Sequence, residues 1–409
     1  MVLEKGSDPA DFRAVPDDLR RVTFKAVKAV IEPYTVTVDE EILVDLRHRI
    51  RNTRWPSSAP GPAWSQGTDL DYLRAILDYW ADAFDWRARE RELNAFDHFR
   101  MRIDDVDIHF VHHRAVSGTG IPLILTHGWP STFVELLPLV PLLTDPAAHG
   151  LDGPGFDVVI PSLPGYAFSG RPARSITMRD TAALWHRLMS GLGYDRFGAH
   201  GGDFGSGVST FLALDQPNSV IGLHLSNFEL DPYLGPEAPA LTEDERTLVA
   251  HEEDFVAREG GYHLVQSTKP QTLGYALNDS PAGLAAWLLE KWRAWSDSDG
   301  ELESRFTRDF LLTTITLFWV TGSITDSMRD YYDNRNVQDL ITATDRVRVP
   351  TAICLLDKEF AHEGVTPRSW AERLYNVRHW AVAPTGGHFA AAEEPLLLAR
   401  DIAAFFAGL

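Results

Sequence analysis

Gly201-Gly202-Asp203-Phe204-Gly205 is the stretch on which the reading of this chain turns. Its glycines remove side chains that would clash in a sharp turn from strand to helix, and such a nucleophile elbow pushes its central residue up from the end of a sheet. Here the central residue is a carboxylate, which changes the chemistry from that of a serine enzyme. The flanks fit the turn. Residues 195–200 have the length of a short strand ending in Phe197-Gly198-Ala199-His200, and 205–216 place Val208, Phe211, Leu212 and Leu214 on one helical side. A glycine-rich loop with an incidental acid would carry the same five letters, so Asp203 needs partners elsewhere in the chain.

Working outward, apolar runs of strand length recur at 108–113, 122–126, 156–160 and 220–225, separated by stretches with helical spacing. Strands alternating with helices predict an α/β fold with a mostly parallel sheet covered on both faces. The alternation breaks after Ser226. From 229 to 347 the pattern is largely helical, dense in apolar and aromatic residues at 285–295 and 310–320, and it reads as an inserted lid. Strand patterns resume at 350–356 and 377–382, and 395–406 closes the chain as an amphipathic helix. Ahead of the sheet, 38–51 carries Ile42, Leu43, Leu46 and Ile50 at helical spacing. A Pro/Ser/Gly stretch follows at 56–67, and 70–84 sets Leu73, Ile76, Leu77 and Trp80 on one face. These helices are expected to pack outside the main domain. The expected division is an N-terminal extension at 1–105, a first core part at 106–228, the lid at 229–347 and a second core part at 348–409.

A chain of 409 residues exceeds one small core and suits a large α/β domain with an inserted or appended unit. Its formal charge of −20 argues against nucleic acid or an anionic membrane as partner, since either needs clustered Lys and Arg. The lone Cys354 excludes an internal disulfide framework and makes a reducing, cytoplasmic compartment the default. Residues 1–10 are polar and charged, without the apolar run of a signal peptide or membrane anchor, so a soluble protein is expected. Arg in preference to Lys, with much Ala, Gly and Pro, hints at a bacterial source.

Three constellations give Asp203 its partners. His127-Gly128-Trp129-Pro130 follows the first strong strand, where an α/β hydrolase places one backbone donor of its oxyanion hole; the second is normally the N–H after the nucleophile, here Phe204. The expectation concerns the backbone of Trp129, and the His127 side chain reads as a structural residue of the loop. Gly386-Gly387-His388 lies between the last strand and the last helix, on a loop at the C-terminal end of the sheet. That is the natural place for a general base. His200, His224 and His251 read as surface or structural, whereas His388 stands in the order nucleophile, acid, histidine that this fold expects. The acid should follow the strand at 350–356, where Asp357 and Glu359 both stand; the one not used would be a surface charge or would pair with Lys358 or Arg368. Glu229 and Asp231, past an earlier strand, can reach the same space. Whichever acid serves would fix the imidazole tautomer and stabilise the imidazolium.

With these residues in place, the chain resembles the microsomal-type epoxide hydrolases from about Phe24 to the C-terminus. The segments that carry the likeness begin with Asn52-Thr53-Arg54-Trp55-Pro56, Phe84-Asp85-Trp86-Arg87, Ile108-His109-Phe110, His127-Gly128-Trp129-Pro130 and Pro161-Ser162-Leu163-Pro164-Gly165-Tyr166. They continue with Gly201-Gly202-Asp203, Thr268-Lys269-Pro270, Leu277-Asn278-Asp279-Ser280-Pro281 and Gly386-Gly387-His388-Phe389. The resemblance implies an α/β-hydrolase core, an N-terminal epoxide-hydrolase extension and a helical lid with two catalytic tyrosines. These fall on Tyr262, in Gly260-Gly261-Tyr262-His263, and on Tyr331, which a helix would turn to a different face from its neighbour Tyr332. The likeness also places the family's acid on Glu359. The chain departs from the family at Phe204, where Trp is usual, and at Asp357, where Pro is usual. No counterpart of the animal enzymes' membrane anchor is expected in it.

The implied chemistry requires no cofactor and no metal. Asp203 attacks an epoxide carbon to give an ester while Tyr262 and Tyr331 protonate the ring oxygen. His388, oriented by Glu359, then activates water, and the Trp129 and Phe204 N–H groups bind the oxyanion on the way to a vicinal diol. The expected partners are water and a small hydrophobic epoxide, aryl or bulky; a homodimer is one open assembly. A haloalkane dehalogenase would use the same Asp–His pair, with Trp129 available to halide, but a halide leaves without a proton and the tyrosines would be idle. A non-catalytic relative binding a hydrophobic ligand would have lost the nucleophile or the base, and both are present. Trp287, Trp292, Trp295, Phe310, Phe318 and Trp319 either line an apolar cavity or form the lid's own core. Detoxification and antibiotic biosynthesis are both open as roles.

Overall fold

The computed structural model describes residues 30–359 and 366–409. The expectations for residues 1–10, and the start of the resemblance near Phe24, fall outside the described residues.

Nine strands form one sheet: β1 (Ile31–Tyr34), β2 (His98–Ile103), β3 (Val106–His113), β4 (Ile121–Thr126), β5 (Phe156–Pro161), β6 (Phe197–Gly201), β7 (Val220–Leu225), β8 (Val347–Leu356) and β9 (Tyr375–Ala383). Their spatial order is β1-β2-β3-β5-β4-β6-β7-β8-β9. The first three strands and the β3–β5 contact are antiparallel, and every pairing from β5 through β4 to β9 is parallel. The central strands are apolar and buried, β6 along its whole length, as parallel strands covered on both faces must be. Because β4 lies between β5 and β6, the winding direction reverses there. The crevice beyond the C-terminal ends of strands at such a switch point is where α/β sheets bind ligands. The sequence sets His127-Gly128-Trp129-Pro130 on one side of that crevice and Gly202-Asp203 on the other.

The N-terminal segment does not simply pack outside. It contributes β1 and β2 to the sheet edge, Ile31 pairing with Met101 and Ile103 with Val106 across a two-residue turn. Pro33 is tolerated in β1 because that strand is an edge and one side needs no ladder donor. The helix Leu70–Asp82 braces the helices that follow β7: Trp80 Nε1 donates to Thr316 Oγ1 at 2.9 Å, and the Tyr79 hydroxyl to Asp309 at 2.8 Å.

Between β7 and β8 the regular elements are helical, chiefly Glu243–Glu259, Gly261–Thr268, Pro270–Leu277, Pro281–Trp295, Arg308–Thr321 and Ile324–Asp333. The first starts at a capping box of Thr242 and Glu245, and Glu245 is gripped bidentately by Arg373 at 2.8 and 2.7 Å. The last is gripped by Arg171, which reaches Asp330 and Asp333 from the loop after β5. The insert is thus fastened at both ends to the sheet domain. Most of its aromatic stripe is core, packed within the insert and against the sheet domain: Trp292 packs edge-on to Phe306 and Phe310 and stacks on Phe389 with centroids 3.7 Å apart, while Phe318 packs near Tyr166. No helix among the described residues is long and apolar enough to cross a membrane.

Candidate active site

Asp203 follows β6 and caps the helix Phe204–Asp215, with φ 52° and ψ −135°. That left-handed φ costs a non-glycine residue about 1–3 kcal/mol, which the surroundings must offset. Neighbouring glycines make the turn sterically feasible. A Cβ on Gly205 would lie 2.0 Å from the Thr126 carbonyl oxygen, and one on Gly201 would lie 2.1 Å from that of Gly205. The strained peptide is held on both sides: the Asp203 N–H donates to Asn227 Oδ1 at 2.7 Å, and the Asp203 carbonyl accepts from the N–H and the hydroxyl of Ser206, each at 2.8 Å.

Two backbone donors meet on one oxygen of the carboxylate. Trp129 N–H reaches Asp203 Oδ1 at 2.9 Å and Phe204 N–H reaches it at 2.7 Å. The Trp129 donor is aimed by its loop. His127 Nε2 accepts from Leu163 N–H at 3.2 Å, so Nδ1 carries the proton and donates to the Gly128 carbonyl at 3.0 Å. Burial lowers the His127 pKa to about 4, which keeps that tautomer neutral. Its side chain is therefore a brace of the loop.

The other oxygen, Oδ2, faces His388 Nε2 at 3.3 Å. On the opposite side of the ring, Nδ1–H donates to Glu359 at 2.9 and 3.2 Å. The loop bearing His388 is fixed through its backbone: His388 N–H donates to the Trp295 carbonyl at 2.8 Å. The Glu393 carboxyl takes the N–H groups of Asp297, Gly387 and Phe389 at 2.7, 3.1 and 3.0 Å. Burial alone would lower the His388 pKa, but the carboxylates of Glu359 and Asp203 outweigh it and hold the imidazole well above its ordinary value. Asp357 turns outward, 3.7 Å from Lys358. Glu229 remains beside the site without hydrogen-bonding the His388 Nδ1; desolvation, then the Asp203 charge, raises its pKa well above the carboxylate range.

Tyr262, on the helix Gly261–Thr268, lies parallel to the Trp129 ring at 5.7 Å and 5°. Tyr331, on the helix Ile324–Asp333, stands edge-on to Trp129, Phe204 and Tyr262 at 5.6, 4.9 and 5.8 Å. Such pairs contribute about 0.5–1.5 kcal/mol each beyond area burial. Helical rotation separates the two adjacent tyrosines: Tyr331 is 5% exposed and Tyr332 41%. Burial, and next the charge of Asp203 for Tyr262 or the neighbouring Tyr262 for Tyr331, pushes both phenols well above their usual pKa. Both stay protonated across the working range and present O–H donors.

Sequence reading missed Asn227 and Glu393. Asn227 ties the Asp203 backbone to Glu359, its Nδ2 reaching Oε2 at 3.4 Å. Its place two residues beyond β7, at the C-terminal edge of the sheet, was the available signal. His200, His224, Asp401 and His379 form a separate chain of hydrogen bonds beneath the elbow. Among the described residues no group of His, Cys, Asp or Glu is arranged to hold a metal.

The reversal of winding at β4, the elbow on β6 and the helical excursion after β7 define the class as an α/β hydrolase. The family described as "alpha/beta hydrolase fold" matches residues 121–395, and "Epoxide hydrolase N terminus" matches residues 31–136. Within that class the chain belongs to the epoxide hydrolases, and it is a hydrolase enzyme of that family. It is 38% identical to epoxide hydrolase 1 of Sus scrofa, over 92% of this chain and 88% of that protein. The crystal structure of juvenile hormone epoxide hydrolase from the silkworm Bombyx mori superposes with a TM-score of 0.85 at 30% identity, covering 93% of this chain and 95% of that one. Aspergillus niger epoxide hydrolase gives a TM-score of 0.80 at 28% identity, over 93% and 96%.

Proposed function

We propose that the chain opens epoxides through a covalent ester on Asp203, with residues 229–347 acting as the lid. The observation that carries this reading is the division of labour between the two oxygens of one carboxylate. Oδ1 is fixed by Trp129 and Phe204, so Oδ2 is the nucleophile that attacks an epoxide carbon. The C–O bond of the ring breaks as the Oδ2–C bond forms, and Tyr262 and Tyr331 deliver a proton to the alkoxide. Burial strengthens this hydrogen bonding, since donors act more strongly where water is excluded.

Ester formation removes the Asp203 charge and with it part of what keeps His388 protonated. The imidazole then loses a proton, making good the one the tyrosines gave, and becomes the neutral base that activates water. Water attacks Cγ, and the oxyanion forms on Oδ1, already within hydrogen bonds of both donors. Each such donor contributes about 3–4 kcal/mol in a transition state. Glu359 orients His388 and stabilises it when charged. The aromatic surround of Trp129, Tyr262, Trp295, Phe204 and Tyr331 favours an apolar, aryl or bulky epoxide, and a cytoplasmic enzyme is consistent with the acidic, cysteine-poor chain.

The test is the intact mass of a His388→Gln variant after exposure to aryl and alkyl epoxides, with haloalkanes alongside, followed by peptide mapping. One whole epoxide added at Asp203 is the expected result. An alkyl adduct with halide release, or no adduct with any compound, overturns the reading.

A further inference from the structure

We propose that Glu135 positions the water that hydrolyses the Asp203 ester, accepting one of its hydrogen bonds in a small cavity beside Asp203 and His388. This rests on Asp203 being the nucleophile. The cavity, of about 20 Å³, is lined among others by Gly128, Ser131, Glu135, Asp203, Ser226 and His388. A water requires about 10–15 Å³ of such room and two to four polar partners, and this lining offers both. The space also has the right relation to the ester. Oδ1 is occupied by its two donors and Oδ2 carries the substrate, so water must reach Cγ from protein-lined space that His388 also borders.

Glu135 is unused by the mechanism above, yet it is placed by the same loop that aims the oxyanion donor. It lies in the short turn Phe133–Leu136, separated by two residues from His127-Gly128-Trp129-Pro130. Its carboxyl lies within electrostatic reach of Ser131, His388, Asp203 and Glu393. Burial raises its pKa to about 7, and in either protonation state it keeps an oxygen lone pair for the water.

The step balances as follows. The water oxygen bonds to Cγ, one water proton passes to His388 Nε2, and the other O–H donates to Glu135. The oxyanion on Oδ1 collapses, the Cγ–Oδ2 bond breaks, and the leaving alkoxide takes the proton from His388 to complete the diol. The second water proton remains on the new Asp203 carboxyl and passes to His388, restoring the ion pair of the resting enzyme.

Single-turnover kinetics with styrene oxide, or whichever aryl epoxide forms the ester in the His388→Gln variant, resolve ester formation from ester hydrolysis. Glu135→Leu should slow hydrolysis about tenfold or more and leave ester formation within about twofold, so that ester accumulates; Glu135→Gln, which keeps a carbonyl acceptor, should recover most of the rate. Hydrolysis at the unmodified rate in Glu135→Leu overturns the inference, as do equal losses in both steps or a Gln variant as slow as the Leu variant. Should His388→Gln form no ester with any epoxide, the nucleophile reading falls and this inference with it. Should the ester form normally and hydrolyse normally in both Glu135 variants, the inference alone falls.

Discussion

The backbone N–H of Trp129 lies 2.9 Å from Oδ1 of Asp203, which in the proposed mechanism is the oxygen that becomes the oxyanion. The approach is possible because residue 128 has no side chain: a Cβ there would stand 2.2 Å from that same oxygen. Gly128→Ala should therefore displace the carboxylate from its donors. Both ester formation and ester hydrolysis should fall, hydrolysis by about 10²-fold or more, because that is the worth of one oxyanion donor. Rapid-quench measurement of each step checks this, and a variant with unchanged hydrolysis would show that the Trp129 donor is dispensable.

Asp357 and Glu359 differ by two positions and by opposite surroundings. Glu359 is 2.9 Å from the imidazole, whereas Asp357 pairs outward with Lys358. Glu359→Gln should slow ester hydrolysis on the order of 10²–10⁴-fold, as loss of a histidine-orienting carboxylate does elsewhere, while Asp357→Asn should be within about threefold of unmodified. The reverse ranking in single-turnover kinetics would move the acid to Asp357.

A pH prediction follows from the two carboxylates flanking His388. Its pKa is raised in the resting enzyme, and one contributor, Asp203, would be neutral in the proposed ester. The acid limb of ester hydrolysis should therefore lie at lower pH than the titration of His388 in the free enzyme, observed by NMR. Asp203→Asn, which imitates the neutral ester, should lower the His388 pKa in the same direction. Coincidence of all three would mean that Asp203 exerts no hold on the imidazole.

Legibility in the sequence followed locality. The elbow and the His388 loop are specified by contiguous residues whose glycines meet local steric demands, and the apolar strands announce a sheet buried on both faces. β1 and β2 were not anticipated: β1 is four residues with a proline, and β2 interleaves Arg100 and Arg102 with its apolar side chains. Their pairing comes from the sheet edge rather than from their own pattern. Asn227 and Glu393 carry no motif because each works by hydrogen-bonding backbone groups distant in sequence. The choice between Asp357 and Glu359 depends on a turn in which Glu359 N–H returns to the Leu356 carbonyl at 3.1 Å, and composition does not encode its direction. The aromatic stripe of the insert was ambiguous for a related reason: core and cavity select the same residues, and most of it proved to be core.

The placement of Tyr331 depends on a cation outside its helix. Arg171 reaches Asp330 at 2.9 Å and Asp333 at 2.5 Å, and all three side chains are nearly buried. Asp330 directly precedes Tyr331, so this clamp fixes the helical rotation that turns the Tyr331 ring inward against Trp129 and Phe204. Removing the guanidinium in Arg171→Met would leave two buried carboxylates without their partner, a loss of about 3–5 kcal/mol. Burial already raises the Asp330 pKa to about 7 against the pull of Arg171, and without Arg171 it would rise further. A carboxyl with a raised folded pKa stabilises the protonated form, and that contribution is lost as pH rises through the folded value. The stability deficit of Arg171→Met, measured by urea unfolding, should thus be larger at pH 8.5 than at pH 6. Arg171→Lys keeps the charge but loses the two-armed grip, so it should fold and yet hold the helix loosely. On the proposed role of Tyr331 in ring opening, this variant should slow ester formation several-fold more than ester hydrolysis. Equal slowing of the two steps would reduce Arg171 to a general stabiliser of the insert.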